Sequence, residues 1–118
     1  MTPEGRVKSD IKKVLHHFGI YPAGSKVWKQ GGVRKNGWYY MPVQNGMGTT
    51  GIHDFVCCIW GRFVSIEAKA PGKTMTPNQT DRMNEIQAVE GVTILIDDAV
   101  YLADWFVALE KETGRSFL

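Results

Sequence analysis

The chain has 118 residues, a formal net charge of +2, 43% apolar and 22% charged residues, a balance that suits one folded domain over residues 1–118 and excludes a disordered segment. No apolar run approaches the roughly 20 residues that cross a bilayer, so no membrane partner is expected. The small net charge hides an asymmetry: residues 1–53 carry eight Lys and Arg against two carboxylates, a net of +6, whereas residues 54–118 carry six against ten, a net of −4, which suggests a polyanionic partner beside a separate carboxylate cluster.

The first predicted element is a helix. Thr2 can cap it, Pro3 suits the first helical position, and Glu4 sits in the first turn. Val7, Ile11, Val14, Leu15 and Phe18 follow helical spacing and form one apolar stripe, with Gly19 as the stop. The N-terminal residues lack the apolar run of a signal peptide, which predicts no leader. Residues 20–53 read as short strands joined by glycine loops, with β-rich pieces at Lys26–Lys29 and at Trp38–Val43 and a loop at Gly46–Gly51.

Two β-rich runs follow, Asp54–Trp60 and Phe63–Ala70, separated by Gly61-Arg62. A two-residue loop with glycine first predicts a type II′ hairpin. The only cysteines, Cys57 and Cys58, are adjacent, so on a strand they point to opposite faces and form neither a disulfide nor a metal pair. A reduced, cytoplasmic chain of phage or bacterial type is the expectation. Thr76-Pro77-Asn78-Gln79 opens a second helix running to about Glu90, stopped by Gly91. Val92–Ile96 is a β-branched strand, and a last helix runs from about Val100 to Thr113, stopped by Gly114. Strand, helix, strand from 63 to 96 forms a βαβ unit with parallel strands. The whole is an α/β domain with a mixed sheet, in the order helix, strands, hairpin, helix, strand, helix.

The hairpin decides which side chains meet. Pairing Trp60 with Phe63 sets Asp54 opposite Lys69 and Val56 opposite Glu67, so Asp54, Glu67 and Lys69 share one face. The other face carries Phe55, Cys57, Ile59, Val64, Ile66 and Ala68 and belongs on the core. Opposed Cβ atoms lie about 5 Å apart, a gap that a divalent ion with oxygen ligands at about 2.0–2.2 Å can bridge. Such an ion would acidify a bound water and stabilise charge on a phosphate, with Lys69 placed to orient that water. An ordinary cross-strand salt bridge between Asp54 and Lys69, with Glu67 solvated, accounts for the same geometry.

Gly51-Ile52-His53-Asp54, then Ile66-Glu67-Ala68-Lys69, then Thr76-Pro77-Asn78-Gln79 resembles the PD-(D/E)-x-K nuclease superfamily, and more closely its virus-type replication-repair (VRR-NUC) nucleases. The resemblance covers residues 51–91 and extends to the helix at 1–18. It implies a restriction-endonuclease-like sheet flanked by helices. It also implies Mg²⁺ or Mn²⁺ held by Asp54, Glu67 and the Ala68 carbonyl, with Lys69 as the catalytic lysine. Gln79 would support the metal or the attacking water, and Glu4 would be the acidic residue that the family carries on its first helix. Many members have proline before the aspartate, and this chain has His53 there.

Residue by residue, plainer roles compete. Gln79 three residues after Thr76 fits a capping box, and Glu4 in a first turn complements the helix dipole. Lys29, Arg34, Lys35 and Lys73 are candidates for phosphate contacts. Trp38, Tyr39 and Tyr40 could stack on bases, with core packing as the alternative for at least one of them. The reaction expected is hydrolysis of DNA phosphodiester bonds. By similarity to junction resolvases, a homodimer cutting branched DNA such as a four-way (Holliday) junction is expected, with simple nicking as the nearest rival. The competing classes are a non-catalytic nucleic-acid-binding module and a structural subunit of a larger assembly.

Overall fold

A computed structural model describes all 118 residues. Helix α1 spans Pro3–His17, and the Thr2 hydroxyl accepts from the Gly5 amide as its cap. The predicted stripe is the buried one: Val7, Ile11 and Leu15 face inward, each burial contributing about 1.5–3 kcal/mol relative to exposure. Gly19 follows at φ +79, a left-handed position that relieves the helix end.

Five strands form one sheet in the spatial order β1-β2-β3-β4-β5: β1 Ile20–Pro22, β2 Gly37–Tyr40, β3 Phe55–Ile59, β4 Arg62–Ala68 and β5 Val92–Ile96. The outer pairs, β1 with β2 and β4 with β5, are parallel. The inner pairs are antiparallel. Helix α2 spans Pro77–Ala88 and α3 spans Val100–Thr113, so the chain is an α/β domain with a mixed sheet flanked by helices. No helix is long and apolar enough to cross a membrane.

One sheet face carries the core. Phe55, Cys57, Ile59, Val64, Ile66, Ala68 and Ile96 are all buried there, together with Leu15 of α1 and Leu102 and Phe106 of α3. Phe18 stacks on Phe106 at 4.5 Å between ring centroids. The expected split of the cysteines holds: Cys57 is buried and Cys58 exposed, and burial pushes the Cys57 thiol up to about 12.

Three expectations are corrected. The hairpin turn is Trp60-Gly61, not Gly61-Arg62, because Ile59 pairs with Arg62. Both turn residues have positive φ, 48 and 80, which makes it type I′ and not type II′. Trp60 tolerates that backbone because its ring stacks on Phe117 at 3.8 Å and its indole N–H donates to Asn36 Oδ1.

Second, Lys26–Lys29 is a turn of 3-10 helix, not a strand. Ser25 caps it by accepting from the Val27 amide, and the Trp28 indole donates to the Pro22 carbonyl. Third, α2 ends before Gly91: Glu90 takes the left-handed conformation, at φ 68. Gly91 is needed for another reason, since a Cβ there would lie 2.5 Å from Ile86 Cγ2.

Candidate active site

The true hairpin register places Asp54 opposite Glu67, since Phe55 pairs with Ile66. A shift of two residues leaves every side chain on its original face, whereas a shift of one would invert them. Asp54, Glu67 and Lys69 therefore share a face as expected, but the two carboxylates are closer partners than expected. Asp54 does not pair with Lys69. Its Oδ2 accepts from the Ala68 amide at 2.9 Å, and its Oδ1 lies 3.3 Å from Lys8 Nζ.

Glu67 is the deepest charged group, at 2% exposure. Its Oε2 accepts from Gln79 Nε2 at 3.0 Å and lies 3.5 Å from Lys69 Nζ. Its Oε1 is buried with no hydrogen-bond partner. Burial, then the adjacent Asp54 carboxylate, with which it can share a proton, push the Glu67 carboxyl up to about 7, against the opposing charge and hydrogen bond of Lys69. A buried acceptor without a donor is costly, and Glu67 Oε1 is that acceptor, while Asp54 Oδ1 and Glu67 Oε2 face Lys8 and Lys69.

Gln79 forms the capping box and also reaches Glu67. Its Oε1 accepts from the Thr76 amide while its own amide N–H donates to the Thr76 hydroxyl, a complete capping box. Its Nε2 remains free to hold Glu67. The cap thus fixes the rotamer that reaches the site.

The loop before Asp54 is pinned to the same helix. At Gly51, φ is +83 and a Cβ would sit 2.4 Å from the Asn78 carbonyl carbon, so only glycine lets the loop approach α2 this closely. His53 is buried, with Nδ1 on the Ser65 hydroxyl and Nε2 on the Gln79 carbonyl at 2.9 Å. A carbonyl only accepts, so Nε2 carries a proton. His53 therefore ties the Asp54 loop to β4 and to α2. Its ring is not available to a phosphate.

The remaining predicted residues divide. Glu4 is partly exposed and joins the group through Lys8, whose Nζ lies 3.5 Å from Glu4 Oε2. Ala68 ends β4, directly beside Asp54. Lys73 is exposed on the connector just after Lys69, and Lys29 is exposed at the end of the 3-10 turn. Arg34 and Lys35 are exposed but precede Gly37, which pairs with Ile59 at the opposite end of β3 from Asp54. Five residues at about 3.3 Å each separate those ends. Arg34 there donates to the Leu118 carbonyl, and Lys35 to that of Gln30.

Tyr39 is a core residue and no stacking platform, because it pairs with Cys57 and packs against Phe55. Trp38 and Tyr40, which alternate with it, stand exposed on the face that bears Asp54 and Glu67. A cavity of about 400 Å³ lies beside Tyr40, walled by Gln44, Thr49, Gly51 and Ile52.

Two groups escaped the sequence reading: Lys8, whose only visible signal is its place one turn after Glu4, and the His53–Ser65 contact, which joins residues twelve apart. No set of three or more His, Cys, Asp and Glu side chains converges as a metal cage. The pair fits Mg²⁺, which takes one or two carboxylates and fills its shell with waters and phosphate oxygens. Compared with known proteins, the chain matches no family model, no curated protein and no solved structure.

Proposed function

We propose that this chain is a metal-dependent DNA endonuclease with a restriction-endonuclease-like fold of the VRR-NUC kind, hydrolysing phosphodiester bonds of branched DNA such as a four-way junction as a homodimer. The observation that carries the proposal is the opposed pair Asp54 and Glu67, with Glu67 Oε1 buried and unpartnered beside the Asp54 carboxylate. A protein keeps such a pair at a cost in stability, and perturbed carboxylates of this kind concentrate at functional sites.

Asp54, Glu67 and the Ala68 carbonyl would hold Mg²⁺ or Mn²⁺, with Glu4 within reach through α1. When bound, the ion supplies positive charge to the scissile phosphate and acidifies water. The chain's own groups do the positioning. Gln79 and Lys69 occupy Glu67 Oε2 and leave Oε1 without a partner, the oxygen that would take the ion. Lys69, at 12% side-chain exposure, holds its ammonium at the rim, where it can orient water and neutralise a phosphate oxygen. Lys73 and Lys29 are free to contact the backbone without reading sequence. Trp38 and Tyr40 offer stacking surfaces on the same face, which suits DNA with unpaired bases at a branch.

The test uses labelled four-way junction and linear duplex with Mg²⁺, Mn²⁺ or EDTA. Cleavage that needs the metal and favours the junction is expected. Binding without metal-dependent cleavage would mean a non-catalytic binding module. A dimer of two sites predicts paired incisions in opposite strands.

A further inference from the structure

Two lysines face the carboxylates, and they are held differently. Lys69 comes from β4 itself. Lys8 comes from α1, with Nζ 3.3 Å from Asp54 Oδ1 and 3.5 Å from Glu4 Oε2 and a side chain 31% exposed. It therefore sits between Asp54, just before β3, and Glu4 of α1. We infer that Lys8 is a built-in counter-ion, which neutralises Asp54 in the metal-free protein and must swing out when a divalent cation binds Asp54 and Glu67. The inference rests on the nuclease reading of the same site.

The charges agree with this. Glu4 and Asp54 bring two negative charges, Glu67 adds a third once ionised, and Lys8 and Lys69 return two. A dication added beside both ammoniums would overcompensate the group, at distances where like charges repel strongly. Lys8 is the one able to leave, since it is a compact ammonium on a flexible four-carbon stem at the protein surface. Its exit exposes Asp54 Oδ1, while Oδ2 stays fixed by the Ala68 amide. The lysine thereby sets a threshold for metal occupancy and keeps the metal-free site folded.

The experiment measures Mn²⁺ binding by the loss of its free electron-spin signal, with wild type, Lys8→Met, Lys8→Gln and a Lys12→Met control. Lys12 is exposed on the same helix. Both Lys8 variants should bind about tenfold more tightly, a change of about 1.4 kcal/mol, and Lys12→Met should stay within about twofold. In wild type, the Lys8 side-chain ¹⁵N resonance should shift as Mg²⁺ saturates the site, a readout that needs no variant to fold. Equal or weaker binding by the Lys8 variants, or an unmoved Lys8 resonance, would overturn the role of Lys8 and leave the nuclease reading standing. No Mn²⁺ binding by any of the proteins would overturn both.

Discussion

Replacing Glu67 by glutamine should stabilise the metal-free protein, and the gain should grow with pH. The folded carboxyl ionises at about 7 against 4.5 for an ordinary glutamate. Because the folded value is raised, the stability linked to its proton is complete below the unfolded value. It is lost as pH climbs from about 4.5 through about 7. At 1.36 kcal/mol per pH unit, the loss above that window is on the order of 3 kcal/mol. Glutamine keeps the shape and carries no charge, and it can still accept from Gln79 and Lys69. In a domain of this size 1 kcal/mol moves Tm by about 4 °C. Glu67→Gln should therefore melt roughly 8–12 °C above wild type at pH 8.5 and close to it at pH 4.5, as followed by circular dichroism in EDTA. Millimolar Mg²⁺ should raise wild type more than the variant, which keeps only Asp54 of the opposed carboxylates. A variant that melts below wild type at pH 8.5 would refute the claim that ionising buried Glu67 costs the metal-free fold stability.

Other outcomes follow from the same geometry. Gln79→Ala removes a cap bond and the contact to Glu67, so it should cost about 1–2 kcal/mol by denaturant titration and lower cleavage beyond what lost folding explains. Tyr39→Ala should cost about 3–5 kcal/mol as a buried aromatic. Tyr40→Ala should leave stability within about 0.5 kcal/mol and weaken binding to a junction with unpaired bases about tenfold, as one lost stacking contact would. Gly51→Ala should destabilise by more than about 1 kcal/mol, because the backbone is left-handed and Asn78 fills the space of the Cβ.

Much of the site could be read from the residues. The alternation along Asp54–Trp60 and Phe63–Ala70 assigned the faces correctly even though the turn was misplaced by one residue. That displacement shifts opposed partners by two and so preserves sides. The turn was misread because a left-handed tryptophan is locally unfavourable. Phe117, fifty-seven residues later, and Asn36 supply the compensation. The 3-10 turn at Lys26–Lys29 looked like a strand because Val27 and Trp28 favour sheets, whereas the Ser25 cap and the Trp28 bond to Pro22 decide the matter. Tyr39 could not be separated from Trp38 and Tyr40 until β2 acquired its pairing with β3. His53 acts only through the distant Ser65 and Gln79, and Lys8 reaches the site through Asp54, forty-six residues away, beyond its local pairing with Glu4. Local pattern carries no trace of those distant contacts.

The most direct test of the account is the cleavage rate of a labelled four-way junction, in Mg²⁺ and in EDTA, by wild type, Asp54→Asn and Lys69→Ala. Cleavage in Mg²⁺ by wild type alone is expected. Each variant should lose at least about a hundredfold, a loss typical of removing an electrostatic catalytic group, while binding the junction with nearly unchanged affinity. Cleavage in EDTA, or a variant that cuts at the wild-type rate, would contradict a metal-dependent nuclease built on Asp54, Glu67 and Lys69.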